Sequence, residues 1–379
     1  MSKDKKKKGF SRYIGVLVGV VLGLIIGITT RPYLNNLSGD LSKYRGLFPL
    51  MVIIFLLIAF FFHIIVHEAG HLVFGLLTGY KFVSFRIGSF MWLKKDGKLK
   101  LKRMSLAGTG GQCLLSPPDI KDGKMPNVLY NLGGSIFNLL LGVLFLIGHL
   151  LCSEIVFLSL LFFIFALAGF VSAISNGIPM RTETVDNDGY NALALSKSKE
   201  AVEAFWVQLK VNEQISKGLR LKDMPAEWFV VPSDEAMQNS IVATRGVLAY
   251  NRLTDEGKIQ EADALAAHLL EIDSSIVGIH RSLLICDRIF IELIGENRSE
   301  VVDKMLTKEL KKFMKLMKRF PSVIRTQYAL ALLFEKDSAK AQAIKKEFER
   351  VAKTYPHSNE IESEFDLFQL VENKSFSVQ

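Results

Sequence analysis

The chain has 379 residues, long enough for two or three domains, with 49% hydrophobic residues and a formal net charge of +9. Its mean hydropathy is +0.26, but charge is unevenly spread: residues 1–189 carry an excess of ten positive charges, and residues 190–379 balance to within one negative charge. A basic excess confined to the apolar half suits lipid-facing flanks. It speaks against nucleic acid, which calls for a basic patch on a soluble domain.

Residues 1–12 form a basic N-terminus with six Lys or Arg. Four apolar runs follow that are long enough to span a bilayer, since roughly 20 helical residues cross the hydrocarbon core. The first, 13–30, lies between Arg12 and Arg31 and lacks a convincing cleavage site, so it is expected to stay as an anchor. The second is 47–77, the third 128–153 and the fourth 155–180. Gly79 is the expected stop of the second. Residues 81–103 carry eight Lys or Arg, against three in 31–45 and none in 153–154. The positive-inside rule then places the N-terminus, the 80–126 loop and the C-terminal domain in the cytoplasm.

His67-Glu68-Ala69-Gly70-His71 sits late in the second run. On a helix, positions i and i+4 share a face, so both imidazoles can aim at one metal ion, and Glu68 beside them can take a proton from water. A carboxylate near a bilayer is costly, which makes a functional role the expectation. His63 shares the face, but eight helical residues rise about 12 Å, too far for His63 and His71 to meet on one ion. His63 is therefore expected to support the site or to pack inside the membrane. Catalytic zinc usually takes three protein ligands. The third is sought where the fourth run emerges, in Asn176-Gly177-Ile178-Pro179 and Asp186-Asn187-Asp188-Gly189.

Between the second and third runs, Phe82 to Leu93 precede Asp96-Gly97, a favoured two-residue turn, and Lys98-Leu99-Lys100-Leu101-Lys102 alternates. This predicts a β-hairpin. Either its strand 82–93 recruits an extended peptide, or its lysines lie on anionic lipid. From Gly189 onward the pattern is helical and soluble. Helix pairs are expected at 239–272, divided at Gly257, and at 323–354, divided at Ser338-Ala339. They resemble tetratricopeptide-type repeats; a non-repetitive bundle is the alternative. Gly189 and the stretch 225–232 read as linker signals. The three cysteines, Cys113, Cys152 and Cys286, show no paired spacing, so neither disulfides nor a cysteine metal cluster is expected.

Three elements in order make the chain resemble the site-2 protease family of intramembrane zinc metalloproteases. They are the H-E-x-x-H helix at His67–His71, the glycine-rich Gly133-Gly134-Ser135-Ile136-Phe137-Asn138, and Asn176-x-x-Pro179 followed by Asp188-Gly189. The resemblance covers roughly residues 47–192. It implies zinc held by His67, His71 and Asp188, with Asp186 open as an alternative ligand, and Glu68 as the proton carrier. It also implies Asn138 on the substrate backbone or the developing oxyanion; an interhelical hydrogen bond is the other reading of Asn138.

The expected fold is an α-helical polytopic membrane protein of about four spans with a small β-hairpin and an all-α soluble domain. Its expected divisions are residues 1–12, then 13–46, a metalloprotease core at 47–192 and a cytoplasmic helical domain at 193–379. The implied function is zinc-dependent cleavage of membrane-spanning proteins or peptides near the cytoplasmic face, with a cytoplasmic protein partner for the helical domain. The alternative is a membrane-tethered helical-repeat adaptor with a structural metal site.

Overall fold

The structure, a computed structural model, describes residues 27–28, 30–35, 39–95, 97–104, 109–181 and 185–378. Nearly all of the first apolar run, 13–30, lies outside these residues. The other three runs form helices long and apolar enough to cross a membrane. They are α1 (Phe48–Leu77), α2 (Val128–Leu151) and α3 (Val156–Gly177). The chain divides into two compact units, and each of the three helices contributes a segment to both.

One unit holds the described residues up to His63 together with Asn138–Ser172. Leu, Ile and Phe lie exposed along these helices, as expected where lipid takes the place of water, while Phe48, Val52, Ala59, Leu160 and Ile164 form the interior. Small residues let the helices approach. A side chain at Gly169 would strike the Asn138 carbonyl and the His63 ring. His63 is fully buried, with Nδ1 3.0 Å from Asn138 Oδ1 and Nε2 2.9 Å from the Phe165 carbonyl.

The other unit holds Ile64–Phe137 and the chain from Ala173 on. Here α1 ends where expected: Gly79 has φ +90°, and Tyr80 N–H donates back to the Gly75 carbonyl. A four-stranded antiparallel sheet follows, made of β1 (Lys81–Ile87), β2 (Phe90–Lys95), β3 (Lys98–Arg103) and β4 (Gly111–Ser116), in the order β3-β2-β1-β4. Two expectations are corrected. The stretch 82–93 is two strands, because the chain turns at Gly88-Ser89 and pairs Ile87 with Phe90. It also offers no free edge, since β1 pairs with β2 and β4, and β2 pairs with β1 and β3. The turn expected at Asp96-Gly97 falls between Lys95 and Lys98, which pair; Asp96 itself lies outside the described residues.

The helical part comprises α4 (Asp188–Leu195), α5 (Lys199–Lys217), α6 (Ser240–Asp255), α7 (Ile259–Glu271), α8 (Gly278–Ile294), α9 (Ser299–Met305), α10 (Lys308–Leu316), α11 (Pro321–Ala329), α12 (Ser338–Ala352) and α13 (Ser358–Val378). Both expected pairs are present, as α6 with α7 and as α11, extended by a π-turn at Leu330–Phe334, with α12. Gly257 (φ +75°) turns the first. Neither linker signal marks a loose connection. Gly189 lies in the first turn of α4, and Phe229, within 225–232, is buried against Val207, Val211 and Met224. The Arg103 N–H donates to the Thr354 carbonyl, which ties the end of β3 to the helices.

A buried charge network joins α8, α11 and α13. Arg325 is 2% exposed, bonds Asp287 and Glu364, and lies over the Phe290 ring. Nearby, burial pushes the Glu360 carboxyl up to about 7, partly opposed by a hydrogen bond with Tyr355. An acid raised in the fold favours its protonated form. The stability it confers is full below the unfolded value and is lost as pH climbs toward 7. Glu360→Gln should therefore raise the melting temperature at pH 8 relative to the wild type and leave it nearly unchanged at pH 4, as read by thermal unfolding at both values.

Candidate metal centre

The site is built from α1 upward. Helical spacing puts His67 and His71 on one face with their Nε2 atoms 3.1 Å apart. His71 Nδ1 lies 2.6 Å from the Tyr130 carbonyl. When Nδ1 donates that bond, Nε2 keeps its lone pair for an ion. This contact needs α1 and α2 to touch by their backbones. A Cβ on Gly70 would collide with the Gly133 carbonyl, one on Gly133 with the Gly70 carbonyl, and one on Gly134 with the His67 ring.

Asp188 opens α4. Its Oδ2 lies 2.9 Å from His67 Nε2 and 3.4 Å from His71 Nε2. Burial works to raise the Asp188 carboxyl, but the two histidines outweigh it and hold the group well below the usual carboxylate range. Asp186 points elsewhere, to Arg181 Nε at 3.1 Å. The position of Asp188 depends on Asn187, the N-cap. Asn187 Oδ1 accepts from Tyr190 N–H and Met180 N–H, both at 2.9 Å, and its Nδ2 donates to the carbonyls of Ser175 and Ile178. One carboxamide thus ties the end of α3 to the start of α4. Gly189 packs directly on the Gly177 carbonyl, where a Cβ would not fit.

Three ligand-type side chains therefore converge, and they are the one such group among the described residues. The donor set suits zinc, which takes His nitrogen and carboxylate oxygen. Ligand atoms about 2.1 Å from one tetrahedral ion stand about 3.4 Å from each other, close to the separations found here.

Glu68 follows His67 and is buried, as is His71. Its side chain lies against Gly111 of β4, where a Cβ would strike its carboxylate. That wall is held by Arg86 of β1, 1% exposed. Its guanidinium donates to the Gly88 carbonyl at 2.7 Å, Thr109 Oγ1 at 2.6 Å and the Gly111 carbonyl at 3.1 Å. Burial lowers the Arg86 pKa and the nearby Glu68 carboxylate opposes the fall. Sequence reasoning missed Arg86, which read as one basic residue among eight in its loop. It gave no role to Asn187 or Gly111, although an Asn before a helix and the Gly110-Gly111 pair were signals for both. Asn138 belongs to the other unit, where it is 0% exposed and bonded to His63.

Apolar helices of spanning length and a two-histidine, one-carboxylate cluster beside a buried glutamate are the parts of a membrane protein with a candidate metallohydrolase centre. The model of the family described as Peptidase family M50 matches residues 55–363, and the chain belongs to this family, that of the site-2 proteases. The match runs through most of the helical part, well beyond the 47–192 reached by the motifs. Family membership makes the chain a peptidase of the intramembrane metalloprotease kind and implies zinc. Compared with curated proteins and with solved structures, the chain has no match.

Three substitutions test the centre. Asp188→Ala should strip the metal from purified protein, whereas Asp186→Ala, which breaks only the contact with Arg181, should keep it; elemental analysis of both reads the difference. Arg86→Met should retain metal yet lower turnover of a model membrane substrate roughly tenfold or more, as expected when a buried charged donor to several oxygens is lost.

Proposed function

We propose that this protein is a zinc endopeptidase that cuts membrane-anchored proteins or peptides near the cytoplasmic face. The observation that carries the reading is the meeting of His67, His71 and Asp188 beside Glu68. His67, His71 and Asp188 would hold the ion. Zinc, when bound, lowers the pKa of a water and polarises the scissile carbonyl. Glu68 takes the proton from the attacking water and returns it to the leaving amine. The Gly111 wall and Arg86 keep its carboxylate in place.

Asn138 we assign to helix packing rather than to the substrate, because it is fully buried and bonded to His63. The adaptor reading has less support. A closed structural zinc site fills four positions with protein ligands, and three converge here among the described residues. The loop charges support four spans with both termini in the cytoplasm. We assign proteolysis to residues 47–192 and substrate selection or partner binding to the helices of 193–379. The antiparallel pairs α6–α7 and α11–α12 support a tetratricopeptide-like arrangement there.

Reconstituted with a labelled single-span substrate, Glu68→Gln should keep its zinc and lose cleavage by about 100-fold or more. His67→Ala should lose both. Full activity of Glu68→Gln would overturn the assignment.

A further inference from the structure

The second unit holds a cleft of about 590 Å3, within the roughly 300–1,000 Å3 usual for ligand sites. Its lining includes Gln112 of β4, next to the glycine that touches Glu68, and Asp186 and Asn191, which lie either side of Asp188 in the chain. It also includes Arg325 of α11 and Asn359, Glu360 and Glu364 of α13. The cleft is therefore shared by neighbours of the candidate metal centre and by the helical part.

Its lining has two chemical features. The first is a series of six carboxamides from five elements: Gln112, Asn191, Gln208, Asn212, Asn251 and Asn359, of which Gln208 and Asn212 share α5. A carboxamide can both donate and accept, so such a series can hold a polypeptide backbone in extended form whatever its sequence. The second is charge. Five carboxylates face two guanidiniums, and both guanidiniums are committed: Arg220 to Asp255 and Asp366, Arg325 to Asp287 and Glu364. Glu360 has no guanidinium, and its Oε2 accepts no hydrogen bond. Asn359 beside it is 3% exposed. Its Nδ2 donates to the Leu219 carbonyl, and its Oδ1 has no donor. Two acceptors on adjacent residues in the lining of an acidic cleft have no donor, and burying such groups without partners costs stability.

The geometry points to a docking site for the substrate's own chain: an extended segment leading away from the cleaved bond lies along the carboxamides and places a lysine or arginine on Glu360 and Asn359. The source of the segment rests on the protease reading above; the preference for a basic peptide does not. The raised Glu360 carboxyl fits this, because an arriving cation favours its ionised form.

The test uses the full-length Glu68→Gln protein in phosphatidylcholine nanodiscs, which hold substrate without cutting it. Its probes are a fluorescent peptide of alternating serine and lysine and the matching serine–glutamate peptide. The lysine peptide should bind more tightly. Adding Glu360→Gln should weaken it roughly tenfold or more, the worth of one charge-assisted hydrogen bond. Adding Asn251→Ala instead should weaken both peptides. Equal binding of the two peptides, or an unchanged affinity in both variants, would overturn the proposal. In a second arm, the protein with Glu68 intact should cut a single-span substrate bearing a basic cytoplasmic extension faster than one bearing a neutral extension. Glu360→Gln should erase that difference while still cutting the neutral one. Peptide binding that depends on Glu360, with no cleavage of either substrate, would defeat the protease reading and leave the docking site standing.

Discussion

The meeting of His67, His71 and Asp188 depends on one bare contact between backbones. Gly70 and Gly133 face each other with no room for a Cβ on either, and Gly134 leaves space for the His67 ring. Only at that separation does His71 reach the Tyr130 carbonyl, 2.6 Å away, and only then is its ring turned with Nε2 toward His67. Lipid provides little hydrophobic force to bring helices together, so close van der Waals approach between small residues must do it. The same glycines that hold the bundle also orient the ligands, so packing and chemistry cannot be altered independently there.

The parts that were legible in the sequence were those governed by local periodicity. An uninterrupted apolar run can hardly be anything but a helix, and i, i+4 spacing fixes which histidines share a face. The three described runs and the helix pairs around Gly257 and Ser338 follow from such patterns. The sheet was only half readable. Alternation along Lys98–Lys102 marked β3, but the Gly88-Ser89 turn was hidden inside an apolar stretch, and β4, as long as β3, lacks the alternation to stand out. What makes 111–116 a strand is its pairing with β1, a contact between distant segments that no local pattern encodes. Arg86 was invisible for a similar reason. Its three acceptors lie at 88, 109 and 111, and a basic residue in a basic loop looks solvated until the fold closes over it.

The buried charges follow two different designs. Around Arg325, ionic partners are matched inside the helical part, with Asp287 and Glu364 sharing one guanidinium. Such a network adds little net stability compared with apolar packing, but it is costly to break. Arg86, by contrast, gives its two terminal nitrogens to neutral oxygens, which leaves its charge available to the field around Glu68. One cation fixes architecture, and the other stiffens a wall of the reaction site.

The capping side chain before α4 makes the centre vulnerable to chemical ageing. Both lone-pair directions of Asn187 Oδ1 are taken by backbone donors, and both amide hydrogens are given to carbonyls at the end of α3. Hydrolysis of that single amide to an acid would leave an anion facing the oxygens of Ser175 and Ile178. Repulsion would unlatch the first turn of α4 and carry Asp188 away from His67 and His71. The cluster would then come apart in an aged molecule with both imidazoles and Glu68 chemically intact.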